Sequence, residues 1–375
     1  MSGLQALERL ETLELYDNLI EELDEKSLRG CGGGGGTSSL RVLDMSYNSI
    51  RDMVPLQYCG TNLQELYLAK NKIKVMTGLK QFTQLQKLDL GHNRIRVLDK
   101  DELNGLANLQ EFWIAKNKLE NLDGIECLTQ LRTLDAQENR LTTLTSSSNE
   151  SGMNGLCYLH HQRNTLEELY LAHNGLDNNG LSSLLALSPK LSSSTNGTGN
   201  DYITFPNLTL LDLSRNRLDS IDSLFIDASS EEKRVNNAID VGVNVDGDWP
   251  SLETLWLSGN NITNFDDIRC LKYASDLNLL PKLDTIYVEY NPVSKDYEYR
   301  QKISEYIPQL KQLDATYIAG YGHKHGTWSS SVSSSSSLPC SVVTTDSSTG
   351  STPGGTPQKL RQFQDAAIQR AKHQL

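Results

Sequence analysis

The chain has 375 residues, 37% of them hydrophobic, and a formal net charge of −12. That length and apolar content suffice for a folded core, while the acid excess excludes direct wrapping of nucleic acid and adhesion to an anionic membrane, both of which reward a basic surface. A basic or mixed-charge partner fits better.

From the first residues onward a pattern L-x-x-L-x-L-x-x-N-x-L recurs ten times. Its first positions are Leu10, Leu40, Leu63, Leu85, Leu109, Leu131, Leu166, Leu208, Leu252 and Leu283, and its ninth is asparagine in every copy, from Asn18 to Asn291. An asparagine fixed at that offset can hydrogen-bond the turning backbone after a strand, where ladder partners run out. The fourth and sixth positions, such as Leu66 and Leu68, face one side of a short strand, and the third, fifth and seventh face the other. Stacked repeats make those leucines a continuous core, so no repeat is stable alone. The predicted fold class is α/β: a leucine-rich-repeat solenoid (horseshoe) with a parallel concave sheet of ten strands, short helical turns on the convex side and a C-terminal helical cap. Ten strands at roughly 4.8 Å give a sheet about 45 Å long.

The period breaks at Gly32 to Gly36, Ser146 to Asn164, Ser188 to Phe205, Ile226 to Pro250 and Lys272 to Leu280, all with loop composition. After the tenth repeat, Lys295 to Ile307 has helical spacing, with Ser294 as N-cap and Pro308 as its end, and a partial strand follows at Leu310 to Asp314. The predicted organisation is therefore repeats over 1–293 and a cap over 294–318. A disordered Ser/Thr/Gly/Pro-rich tail follows over 319–358, and 359–375 has the spacing of a short amphipathic helix. No run approaches 18 consecutive apolar residues, so no membrane segment is expected. Six scattered cysteines without a C-x-x-C pair read as reduced thiols, which points to nucleus and cytoplasm.

Down the stack, the fifth position reads Glu14, Asp44, Tyr67, Asp89, Trp113, Asp135, Tyr170, Asp212, Trp256 and Tyr287. Five large aromatics along one solvated line would be costly unless a partner covers them, and Trp and Tyr are favoured interface anchors, with the carboxylates able to pair with Arg or Lys. The candidate partner-binding residues are Asp44, Tyr67, Asp89, Trp113, Asp135, Tyr170, Asp212, Trp256 and Tyr287. Beside them the seventh position is small at Ser46, Ala69, Gly91, Ala115, Ala172, Ser214 and Ser258, with Gln137 the exception, which lets another surface approach closely. The eighth carries Lys70, His92, Lys116, His173 and Arg215, interrupted by Glu138, and reads as balancing charge. His160-His161 and His323-x-His325 lack the Cys or acidic residues that would complete a metal site, and no nucleophile or pocket accompanies the acids. Neither an enzyme, a metal nor a cofactor is expected.

These residues resemble the leucine-rich regulatory subunit of protein phosphatase 1, the regulatory subunit 7 family, from about Leu10 to Ile318. The most specific stretches are Leu166-Glu-Glu-Leu-Tyr-Leu-Ala-His-Asn-Gly175, Leu283-Asp-Thr-Ile-Tyr-Val-Glu-Tyr-Asn-Pro292, Tyr299-Arg300 and Leu313-Asp-Ala-Thr316. The resemblance implies that the concave face clasps the phosphatase catalytic subunit away from its active site, one copy of this chain in a heteromeric complex. No basic-Val-x-Phe peptide, the motif of many other phosphatase regulators, is present. The chain departs from the family at Thr254, where the family has a glutamate before the ninth-repeat tryptophan; here a Glu-Phe-Trp arrangement stands in the fifth repeat, at Glu111 to Trp113. The alternative function is a non-catalytic adaptor in a microtubule, ciliary or ribonucleoprotein assembly.

Overall fold

The computed structural model describes residues 9–30, 39–145, 157–184, 205–225 and 249–318. These lie in one compact unit, Met1–His323. The glycine run, most of the long insertions and the expected tail and terminal helix fall outside the described residues.

Each repeat contributes one three-residue strand, its third to fifth positions. The strands are β1 (Thr12–Glu14), β2 (Val42–Asp44), β3 (Glu65–Tyr67), β4 (Lys87–Asp89), β5 (Glu111–Trp113), β6 (Thr133–Asp135), β7 (Glu168–Tyr170), β8 (Leu210–Asp212), β9 (Thr254–Trp256) and β10 (Thr285–Tyr287). They pair in parallel and in sequence order, each residue opposite its counterpart in the next repeat, whatever the length of the connection between them. The central residue of every strand is buried, as at Leu43, Leu66, Leu88, Phe112, Leu134 and Ile286, so one face of the sheet is core and the other is open. Because the side-chain period is two, this in-phase register is the one that keeps every leucine inside.

Among the described residues the sheet has twelve strands, two more than the ten consensus copies predict. The partial strand after the cap forms β11 (Gln312–Leu313), parallel to β10, and β12 (Thr316–Tyr317) folds back antiparallel on it. Asp314 makes that reversal possible with a left-handed backbone, φ 54°.

Short helical turns occupy the opposite side, as expected: 3-10 turns such as Val54–Tyr58 and Ile125–Cys127, and the helices α1 (Glu25–Gly30), α2 (Lys100–Leu103) and α3 (Asn178–Ser182). Three expectations are corrected. Lys272 to Leu280 is no loop: a helix α4 (Cys270–Asp276) fills it, because Cys270, Leu271 and Ala274 recur at helical spacing and are buried. The cap helix α5 spans Tyr299–Tyr306 with Glu298 at its N-cap. Ser294 sits in a separate 3-10 turn, Pro292–Lys295, begun by the fixed φ of Pro292. The ends of the insertions also belong to the core. Phe205 and Trp249 stack at 5.9 Å and are fully buried, and the Trp249 indole donates to the Leu224 carbonyl at 2.9 Å.

The turn after each strand holds neighbouring repeats together. Asn117 donates to the carbonyls of Ile114 (3.1 Å) and Ala115 (3.2 Å) in its own turn and of Leu90 (2.9 Å) in the repeat before. Its Oδ1 accepts from the Ile95 N–H of that same preceding repeat at 2.9 Å. From Asn48 to Asn291, every ninth-position asparagine bridges backward in this double sense. The eighth residue must be left-handed for the asparagine to turn inward, with φ between 52° at Glu138 and 62° at Tyr290, and 70° at Gly259. Outside glycine that conformation costs roughly 1–2 kcal/mol, which the asparagine's buried hydrogen bonds offset. At the far end the Asp314 carboxylate takes over: it accepts from the N–H groups of Val288 (2.9 Å) and Glu289 (3.0 Å) and from the Tyr299 hydroxyl (3.0 Å).

Asn117→Ala should therefore lower the unfolding free energy by on the order of 3 kcal/mol, since it orphans several buried groups at once. Asn18 is exposed and bonds only its own turn among the described residues, through Leu15 and Tyr16, so Asn18→Ala should cost under about 1 kcal/mol. Urea denaturation of both variants checks this; equal losses would mean that the asparagines act only within their own turns.

Candidate acid and aromatic face of the sheet

The in-phase register places the fifth-position side chains in one row on the open face, at the strand spacing of about 4.8 Å. Asp44, Tyr67, Asp89, Trp113, Trp256 and Tyr287 are partly exposed there. The expectation that the whole row lies open is corrected at its middle: Asp135, Tyr170 and Asp212 are 1%, 2% and 2% exposed. Tyr170 stands in register between the two aspartates and the three close on one another. Gln137, the large exception among the small seventh positions, donates its side-chain amide to Asp135 Oδ2 at 3.0 Å and so covers it from the side. The row is thus two open patches, one over β2 to β5 and one over β9 and β10, on either side of a closed centre.

The aspartates do more than face outward. In each aspartate-bearing repeat the carboxylate accepts the N–H of its own seventh residue: Asp44 from Ser46 (2.8 Å), Asp89 from Gly91 (2.8 Å), Asp135 from Gln137 (3.1 Å) and Asp212 from Ser214 (2.9 Å). These bonds tie the acids into the turn that ends the strand. Burial nevertheless raises all four above the ordinary carboxylate range: Asp89 and Asp212 to about 6, and Asp135 to about 7, where the charges of Asp89 and Asp212 add to the effect. The N–H donors pull the other way without cancelling it.

A second row, at the third positions, escaped the sequence reading although the period of two places it on the same face. Lys87 lies between Glu65 (3.8 Å) and Glu111 (3.7 Å), and the Tyr67 hydroxyl donates to Glu65 Oε2 at 2.7 Å. Tyr170 repeats the arrangement with Glu168 at 3.1 Å. Each tyrosine hydroxyl is thereby aimed along its own strand. Glu111 of the Glu-Phe-Trp stretch belongs to this network, whereas Thr254 aligns with Leu210 and Thr285. At the second patch the Trp256 and Tyr287 rings meet at 5.0 Å, and Gln312 of the cap donates to the Tyr287 hydroxyl at 2.7 Å. The eighth-position cations, read in sequence as charge balance, stand on left-handed residues at the sheet edge; Lys116 pairs with Glu138 at 2.9 Å. Among the described residues no group of His, Cys, Asp and Glu is placed to hold a metal ion, and His160 and His161 meet edge to face at 5.3 Å.

Known proteins carry the same pattern. Leucine-rich-repeat family models match residues 83–141, 162–185 and 251–271. A protein phosphatase 1 regulatory inhibitor subunit PPP1R7 homolog of Arabidopsis thaliana is 31% identical over 27% of this chain and 29% of its own length. The protein phosphatase 1 regulatory subunit SDS22 of Schizosaccharomyces pombe is 40% identical over 18% of this chain and 20% of its own. Protein phosphatase 1 regulatory subunit 7 of Mus musculus is 43% identical over 13% and 14%. The matched stretches span less than a third of each of these relatives. Among solved structures, the APL1 leucine-rich repeat domain aligns over 82% of this chain and 62% of its own at a TM-score of 0.50 and 18% identity. A chain of an octameric complex of Latrophilin 3, Unc5D and FLRT2 aligns over 81% and 74% at 0.51 and 19%. Those two likenesses concern the fold alone. Repeats, register and sequence matches together identify a leucine-rich-repeat protein similar to regulatory subunits of protein phosphatase 1.

The raised acids have a consequence for stability. Between about pH 4 and about pH 7 the folded chain holds a proton on Asp135 that the unfolded chain has released, so this contribution is present at low pH and lost as pH rises through about 7. Asp135→Asn keeps an acceptor for the Gln137 N–H but cannot ionise. Its stability relative to the parent chain should therefore increase between about pH 5 and about pH 8, by at most about 1.4 kcal/mol per pH unit. Thermal melts across that range read the difference, and a flat one would refute the assignment.

Proposed function

We propose that this leucine-rich-repeat protein, similar in sequence to regulatory subunits of protein phosphatase 1, binds the catalytic subunit of that serine/threonine phosphatase through the open face of its sheet and has no catalytic role itself. The observation that carries the proposal is the pair of open aromatic patches. Tyr67 and Trp113 stand among Asp44 and Asp89 over β2 to β5, and Trp256 rests against Tyr287 over β9 and β10. Aromatic rings held rigidly by neighbouring strands lose little entropy on binding and supply large contact areas, and the half-buried carboxylates between them select basic groups on the partner. Two patches separated by a closed centre suit a globular partner that touches the sheet at two places.

Asp135, Tyr170 and Asp212 take an indirect part in this reading: they stiffen the centre of the face, and the contacts fall to the six open residues. Small seventh positions such as Ala69, Gly91 and Ala115 leave room for the partner to approach the first patch. At Gly91 an added Cβ would lie 3.1 Å from Asp89 Oδ1, so a larger residue there would press on that carboxylate. We also place the protein in nucleus and cytoplasm. Supporting this, Cys157 and Cys270 are buried thiols outside any disulfide, and burial pushes Cys157 up to about 12, far from the reactive thiolate.

Capture of recombinant phosphatase catalytic subunit by immobilised chain tests the proposal. Trp113→Ala and Trp256→Ala should each weaken binding by roughly 30-fold, the loss of an interface hot spot of about 2 kcal/mol, while cooperative unfolding is retained. Failure of the parent chain to capture the phosphatase, or capture by both variants as strong as by the parent chain, would reject it.

A further inference from the structure

The edge of the sheet beyond the left-handed residues carries a second feature, opposite in charge to the open face. After each turn the eleventh position is buried, as at Ile73, Ile95, Leu119 and Leu141, so the tenth and twelfth on either side of it project outward. The turn segments are laddered to one another: the N–H groups of Lys72, Arg94, Lys118 and Arg140 each donate at 2.8 Å to the eleventh-position carbonyl of the repeat before. Four cations from four consecutive repeats are thereby held in one column; at the twelfth positions Lys74 and Arg96 stand beside the first two, and Glu120 and Thr142 beside the others.

None of Lys72, Lys74, Arg94, Arg96, Lys118 and Arg140 forms an ion pair among the described residues. The turn does not require a cation there, because Ser49, Gly175 and Asn261 make the same ladder bond from the same position. Stacking like charges at about 4.8 Å is unfavourable, and in a chain of net charge −12 this is the reverse of the overall balance. Exposed apolar side chains accompany the column: Val75 and Val97, 60% and 65% exposed, directly follow Lys74 and Arg96.

We propose that this edge of the third to sixth repeats docks an extended acidic peptide segment of a partner protein. The column spans three strand intervals, about 14 Å, which matches four or five residues of extended polypeptide at about 3.3 Å each. Carboxylates of such a segment would pair with the column while an apolar residue between them covers Val75 and Val97. Single-stranded nucleic acid fits less well, because it needs aromatic platforms for its bases, and the neighbouring Tyr47 ring already carries Lys70 Nζ at 4.3 Å. The inference is independent of the phosphatase reading, since it uses the sheet edge and none of the fifth-position residues.

Fluorescence anisotropy with a labelled oligoglutamate peptide tests it on the full chain. The parent chain should bind the peptide with an affinity that falls as salt rises, and Arg94→Glu with Arg96→Glu should weaken binding by roughly tenfold or more. Lys26→Glu with Lys282→Glu makes the same change in net charge elsewhere and should leave affinity within about twofold. Should the first pair fail to fold, Lys72→Glu with Lys118→Glu asks the same question. Absence of peptide binding, an equal effect of the control pair, or tighter binding of oligothymidylate or phosphatidylserine vesicles than of the peptide would each overturn the proposal.

Discussion

The structure depends on how the backbone is satisfied in the turn after each strand. Three residues of strand are too few to hold two repeats in register, and the chain leaves the sheet at once through a left-handed residue. The ninth-position asparagine resolves both difficulties, because its amide donates within its own turn and to the preceding repeat while its oxygen accepts from that preceding repeat. Since the same bridge recurs at every step, the repeats stack in phase even where their connections differ in length, from Lys72 N–Ile50 O to Arg217 N–Leu176 O. Everything that repeats at a fixed offset, whether leucine, carboxylate, ring or cation, is thereby converted into a row.

Rows are not equivalent surfaces. Side chains brought to about 4.8 Å must either attract or be separated, and from β2 to β9 alternation of acid with aromatic achieves the second: no two carboxylates among Asp44, Asp89, Asp135 and Asp212 occupy adjacent strands. The intervening rings keep the acids apart and remove water from around them, so burial raises them most, and the charges of their neighbours add to the effect. Where the packing is tightest, around Tyr170, the row closes and becomes core. The open face is therefore a compromise in which the same contacts that rigidify a ring also remove its neighbours from solvent.

Much of this was legible in the sequence, because a solenoid translates periodicity into position with little tertiary rearrangement. The buried Leu43 and Leu66 and the asparagines that satisfy the turns follow from offsets. What offsets cannot supply is how far a side chain is covered by its neighbours, and so the closure of Asp135, Tyr170 and Asp212 was missed. Non-repeating parts were harder for a related reason. The helix α4 rests on three apolar residues within a polar segment, and β12 exists because Asp314 turns left three residues before the position where every repeat turns.

Of the two polar rows, one belongs to the fold and the other stands free of it. Each fifth-position aspartate is an acceptor for its own turn, so replacing it disturbs the strand end as well as the face. Among the described residues the tenth-position cations from Lys72 to Arg140 bond only through their backbone N–H, a bond that Gly175 makes equally well. Their side chains can therefore vary without cost to the turn, and their uniform charge from Lys72 to Arg140 has no counterpart in the requirements of the solenoid. An acidic face whose charges are shared with the architecture and a basic edge whose charges are not are thus two surfaces under separate constraints, both positioned by one ladder of asparagines.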